Sequence, residues 1–217
     1  MSIDTIFFVF EIIGTIAFAI TGVITAIEKK LDVFGAVVLG MVTAVGGGIV
    51  RDMILGYLPP SAFRHPVYAV TAIITSLAVF IIAYFFGKRI KTHFNIYSQV
   101  INIFDSVGLA VFTVAGVNSA AACGFGENSF LAIFVGMLTG VGGGVIRDIM
   151  AGRVPKILRK RVYALAAAVG AFLYQILVEQ HLCSQTAALL IGTGSIIIIR
   201  LSATIFHWNL PRLKDLD

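Results

Sequence analysis

Apolar residues in this chain fall into long runs divided by short polar connections, and the length of each run sets the architecture. The hydrocarbon core of a bilayer, roughly 30 Å thick, takes about 20 apolar residues in a helix. By that ruler seven segments qualify, at about 5–27, 33–56, 66–86, 97–121, 129–151, 162–178 and 185–206. The connections, such as Glu28-Lys29-Lys30-Leu31-Asp32 or Gly87-Lys88-Arg89-Ile90-Lys91, leave no room for a soluble unit. The pattern predicts an all-α integral membrane protein of seven transmembrane helices, a single membrane domain over 1–217.

Composition agrees with a lipid solvent. At 59% hydrophobic and 12% charged residues, with a mean hydropathy of +0.98, 217 residues carry more apolar surface than one water-bounded core hides. A pI near 9.4 raises nucleic acid as a partner, but the basic residues sit in short connections and form no continuous surface, so no nucleic acid is expected. One side of the predicted membrane receives Lys29, Lys30, Lys88, Arg89, Lys91, Arg153, Lys156, Arg159, Lys160, Arg161, Arg212 and Lys214. The other receives Arg64, beside the acidic Asp4, Glu127 and Glu179. The positive-inside rule then places the N-terminus outside and a short tail at 207–217 in the cytoplasm. Met1 to Thr5 contain no Lys or Arg, so the first helix lacks the basic region of a cleavable signal and is expected to stay.

The chain also repeats itself. A shift of 96 residues lays Gly40-Met41-Val42-Thr43-Ala44-Val45-Gly46-Gly47-Gly48-Ile49-Val50-Arg51-Asp52 over Gly136-Met137-Leu138-Thr139-Gly140-Val141-Gly142-Gly143-Gly144-Val145-Ile146-Arg147-Asp148. Gly56 then overlies Gly152 and Pro59 overlies Pro155, while a shift of 94 brings Glu11, Gly14, Phe18 and Gly22 over Asp105, Gly108, Phe112 and Gly116. Repeat one thus covers about 5–90, repeat two about 97–179, and the seventh helix, about 185–206, stands outside for packing or oligomer contacts. Three spans per unit is an odd number, so the second unit enters from the opposite side. Inverted repeats interrupted at matching positions are a feature of transporters and conduits.

Three successive glycines lower the cost of non-helical dihedrals, so helices two and five are expected to kink or unwind at Gly46-Gly47-Gly48 and Gly142-Gly143-Gly144. Backbone freed there must line a water-filled path or be buried in protein. The plainer alternative is a close helix crossing over small residues. Arg51, Asp52, Arg147 and Asp148 follow the triplets, and Glu11 and Asp105 are further intramembrane carboxylates. Each is costly in lipid. They either pin helices together, meet a passing cation, or, for the arginines, snorkel to an interface. Thr43 and Thr139 offer hydroxyls to a permeant species or bond back to their own helix. The stripes Gly14-Phe18-Gly22 and Gly108-Phe112-Gly116 read as packing faces, with Phe18 and Phe112 as candidate constrictions.

Catalytic signatures are missing, with no Gly-x-Ser-x-Gly elbow, phosphate loop, dinucleotide fingerprint or His-Glu-x-x-His, so no enzyme is expected. His65, His93, His181 and His207 lie near segment ends, and Cys123 and Cys183 form no disulfide framework. His181 with Cys183 is a weak metal pair; no resident metal or cofactor is expected.

At the doubled Gly-Gly-Gly-x-x-Arg-Asp motif the chain resembles the prokaryotic branch of the trimeric intracellular cation (TRIC) channel family, also catalogued as putative glycine transporters. The likeness covers nearly the whole chain. It implies a homotrimer in the plasma (inner) membrane of a prokaryote, with one pore per protomer where helices two and five cross, passing potassium or sodium. Its pore elements would be both triplets with Thr43, Thr139, Arg51, Asp52, Arg147 and Asp148. The alternative is a secondary transporter of glycine or another small amino acid, its carboxylate held by a half-helix N-terminus and an arginine.

Overall fold

The computed structural model describes residues 2–90, 94–159, 162–206 and 208. His93, His207, the side chains of Lys88, Arg89 and Lys91, the Arg159-Lys160-Arg161 cluster and the tail with Arg212 and Lys214 lie outside the described residues. Seven long helices are spans by length and hydropathy. They are α1 (Ile3–Glu28), α2 (Val33–Ile54), α4 (Val67–Ile90), α5 (Phe94–Ala120), α6 (Ser129–Met150), α8 (Val162–Glu179) and α9 (Gln185–Ile205). Two four-residue helices, α3 (Ser61–Arg64) and α7 (Lys156–Arg159), sit in the connections after α2 and α6.

The helix ends follow from local chemistry. Asp32 caps α2 by accepting from the Gly35 N–H at 2.7 Å, and Asn128 caps α6 by accepting from Leu131 at 3.1 Å. Both helices stop the same way. The N–H of Tyr57 donates to the Asp52 carbonyl and that of Arg153 to the Asp148 carbonyl, each at 2.8 Å. Gly56 and Gly152 supply the left-handed turn, with φ of +70° and +63°.

In the first half α1, α2 and α4 pack on one another; in the second, α5, α6 and α8 do. The halves meet where α1 lies on α5 and α2 on α6, while α9 packs against α8 and α5. The central α5 is mostly covered, whereas α4 turns Val70, Ile74, Leu77, Ile81 and Ile82 outward, as a helix facing lipid or another subunit does.

Of the kink or unwinding expected at the glycine triplets, the unwinding is corrected. Both α2 and α6 run as unbroken 22-residue helices through Gly46–Gly48 and Gly142–Gly144. Unwinding would strip backbone groups of partners inside the bilayer, a penalty of several kcal/mol for each, about, whereas glycine in a helix costs only about 1 kcal/mol. The interruption in a span lies elsewhere, in the π-helical turn Ala121–Phe125 after α5, where Gly124 has φ of +89°.

Candidate functional site

Missing side chains let α2 and α6 approach until backbone meets backbone. A methyl group on Gly47 would collide with the Thr139 carbonyl oxygen, and one on Gly143 with the Thr43 carbonyl oxygen. Gly142 lies close as well, its Cβ position 3.1 Å from Gly47 Cα. The crossing is therefore the plainer of the two readings of the triplets. Thr43 and Thr139 likewise turn back, donating to the carbonyls of Leu39 at 2.5 Å and Val135 at 2.6 Å. Their hydroxyls are buried and committed to their own helices.

The small-residue stripes of α1 and α5 interlock reciprocally. Phe18 sits on Gly108 and Phe112 on Gly14, and the two rings pack with centroids 5.4 Å apart. A Cβ on Gly22 would lie 2.6 Å from Gly40 Cα, and one on Gly116 2.8 Å from Gly136 Cα. These glycines set the spacing of α1 on α2 and of α5 on α6.

On the side where α1 begins, a cavity of about 440 Å³ opens between the first half and α5. Asp4, Glu11, Arg51, Asp52, His65 and Tyr68 bring its charge and polarity, and Thr15, Gly48 and Phe112 lie at its inner part. From Asp4 to Thr15 a helix rises about 16 Å, half the hydrocarbon thickness. Arg51 Nε donates to Asp52 Oδ1 at 2.7 Å, and its Nη1 stands 3.8 Å from Glu11 Oε1. Asp52 Oδ2 accepts from the Ser61 N–H at 2.6 Å, and Tyr68 donates to Glu11 Oε2 at 2.5 Å. Adjacent residues on a helix diverge, so the sequence left each Arg-Asp pair open. The long guanidinium folds back and closes it.

The second half repeats these bonds around a buried centre. Arg147 Nε donates to Asp148 Oδ1 at 2.9 Å, and its Nη1 donates to Asp105 Oδ1 at 2.8 Å and to Thr21 at 2.9 Å. Asp148 Oδ2 accepts from the Lys156 N–H at 3.0 Å. Arg147 is 0% exposed, which rules out snorkelling for it. Two cations that the sequence did not single out join here: Lys156 Nζ at 3.5 Å and Arg200 Nη2 at 3.6 Å from Asp105 Oδ2. Arg200 comes from α9, the helix outside the repeat, and lies over the Tyr163 ring at 4.5 Å. An arginine inside an apolar run was the available signal for it. Burial pulls the Lys156 ammonium down to about 8, with Asp105 opposing that pull.

The two ends of the site thus differ. One is an open cavity in which three carboxylates outnumber one guanidinium; at the other, three cations close over Asp105 and Asp148. Arg153 and Glu28, paired at 2.7 Å, tie the halves together on the closed side. Among the described residues no group of three or more His, Cys, Asp or Glu stands ready for a metal, and Cys123 and Cys183 are both free.

A protein-family model described as "Glycine transporter" matches 8–84 and 102–179, one stretch in each half. The UPF0126 inner membrane protein YadS of Escherichia coli K12 is 36% identical over 93% of both chains. A structure solved for the basis of conductance through TRIC cation channels superposes with a TM-score of 0.82 at 35% identity, covering 100% of both chains. The TRIC trimeric intracellular cation channel orthologue from Rhodobacter sphaeroides gives 0.84 at 30% identity, over 94% of this chain and 100% of that one.

Proposed function

The chain belongs to the family of the matched model and, within it, to the prokaryotic branch of the TRIC channels, and from that membership we propose that it is a monovalent cation channel of the bacterial inner membrane. It assembles as a homotrimer, each protomer holding its own path for potassium or sodium beside the crossing of α2 and α6. Glu11, Arg51 and Asp52 form the entrance. The glycine triplets with Phe18 and Phe112 form the waist, and Asp105, Arg147 and Asp148 form the far end. The N-terminus faces outward and the C-terminus the cytoplasm.

The observation that carries this reading is the cavity of about 440 Å³ lined from Asp4 to Thr15 of α1, with Asp4, Glu11 and Asp52 outweighing Arg51. A low-dielectric cleft of one sign concentrates the opposite ion. Arginine in a cation path is tolerable because Asp52 is bonded to it. Direct contact of α2 with α6 and of Phe18 with Phe112 closes the waist, so the structure supports a shut state of the path.

Purified protein in planar bilayers tests the proposal. Unitary currents in potassium chloride are expected, and Glu11→Gln should lower potassium conductance by roughly two- to tenfold as the entrance loses one focusing charge. Saturable uptake of radiolabelled glycine without unitary currents would overturn it. That outcome would favour a small-amino-acid transporter, a reading supported by the Arg51 guanidinium facing the cavity, where a substrate carboxylate has a partner.

A further inference from the structure

The two halves place a tyrosine at the same point and give it different work. A shift of 95 residues lays Val67-Tyr68-Ala69 over Val162-Tyr163-Ala164, so each tyrosine is the second residue of the third span in its half, α4 or α8. Tyr68 lines the open cavity and donates to Glu11 Oε2 at 2.5 Å. Tyr163 is buried beneath Arg200 in the cluster around Asp105, the repeat mate of Glu11. Its hydroxyl has no hydrogen-bond partner among the described residues.

The mirrored carboxylates differ by one methylene, and the arginines show the consequence. Asp105 makes no bond to Tyr163 and instead accepts from Arg147, Nη1 to Oδ1, at 2.8 Å. Glu11 reaches its tyrosine, and its Oε1 stands 3.8 Å from Arg51 Nη1, beyond hydrogen-bonding distance. A carboxylate that accepts from a phenol keeps its charge to itself, whereas one locked onto a guanidinium is matched ion for ion. Asp52, the other carboxylate beside Arg51, has no oxygen to spare. Its Oδ1 accepts from Arg51 Nε and its Oδ2 from the Ser61 N–H. Glu11 Oε1 makes no hydrogen bond among the described residues, which leaves it as the one oxygen of these two carboxylates open to the cavity. The Tyr68 ring is itself braced, its centroid 6.1 Å from that of Phe8 on α1.

We infer that Tyr68 is a positioning residue for ion entry: by holding Oε2 it keeps the Glu11 carboxylate off Arg51 and leaves Oε1 as an unpaired oxygen for a monovalent cation in the cavity. The inference rests on the reading of the chain as a cation channel. Without the hydroxyl the carboxylate moves onto the guanidinium, as Asp105 has moved onto Arg147. The entrance then keeps all its charges but loses its free oxygen.

Conduction and geometry both test this on the full-length protein. In planar bilayers with roughly 0.1 M potassium chloride, Tyr68→Phe, which keeps the ring on Phe8, should lower unitary conductance about two- to fivefold. The loss should shrink toward wild type at roughly 1 M, where a Debye length of about 3 Å screens the entrance, whereas a packing defect would persist in both salts. Glu11→Asp, with the charge kept and the reach of Asp105, should show the same salt-dependent loss. Tyr68→Phe added to Glu11→Gln should lower conductance no further, because there is no longer a carboxylate to hold. A cryo-EM structure of Tyr68→Phe should find Glu11 at about 2.8 Å from Arg51 Nη1, the distance of the mirrored pair. Wild-type conductance of Tyr68→Phe or Glu11→Asp at low salt overturns the inference, as does an additive loss in the double variant or a Glu11 to Arg51 gap that stays at 3.8 Å. If the gap closes but no protein, wild type included, passes current, Tyr68 still positions Glu11 and the channel reading falls.

Discussion

Gly47→Ala and Gly143→Ala should each destabilise the protein by about 3 kcal/mol, the upper part of the usual range for overpacking, although the change adds one methyl group. The collision is with a carbonyl oxygen of the opposite helix, Thr139 for Gly47 and Thr43 for Gly143. No rotamer change relieves it; the α2–α6 crossing must widen along its length. For a domain of this size the loss corresponds to a fall of roughly 6–12 °C in Tm, measured in detergent beside size-exclusion elution of the purified protein. Gly48→Ala is the informative partner. Its methyl would have Arg51 Nη2 as its nearest neighbour, at 3.8 Å. It should therefore be neutral, or stabilise by up to about 1 kcal/mol through better helix propensity. Equal effects at Gly47 and Gly48 would show that the triplet acts through flexibility and not through the crossing.

Asp105→Asn should cost about 3–5 kcal/mol, the range for removing one partner from a buried ion pair. The substitution keeps the shape and removes the charge on which Arg147, Lys156 and Arg200 converge. Asp148 alone then faces three buried cations. Adding Lys156→Gln to Asp105→Asn removes one of them and should recover part of the lost Tm. Glu11→Gln, at the mirrored position, should cost less than half as much. Glu11 retains 20% side-chain exposure in the open cavity, its arginine stands 3.8 Å away, and solvent screens what remains. Equal losses at the two positions would contradict the difference in burial.

Much of the fold was written in the spacing of apolar runs, because bilayer thickness is a fixed ruler and all seven spans obey it. The four-residue helices α3 and α7 escaped, being too short for any period to register. At the triplets the sequence advertised conformational freedom but concealed its use. What decides between an unwound turn and a close crossing is the carbonyl on the opposite helix, which no local pattern contains. Glu11, Asp105 and both Arg-Asp pairs were legible because charge inside an apolar run demands a partner. Lys156 and Arg200 were not. Lys156 follows Pro155 in a connection and was counted toward topology, and Arg200 lies in the one helix without a symmetry mate. Only the tertiary packing of α7 and α9 against α5 and α6 brings them to Asp105.

The shared bonds of the two halves give this molecule a built-in control. Mirrored substitutions made one at a time experience the same detergent, the same lipid and the same assembly, so common errors cancel when their effects are subtracted. Where the surroundings match, as at Gly47 and Gly143, the difference should vanish. Where Ser61 faces Lys156 across the pseudo-symmetry, whatever remains after subtraction measures how far the duplicated halves have specialised.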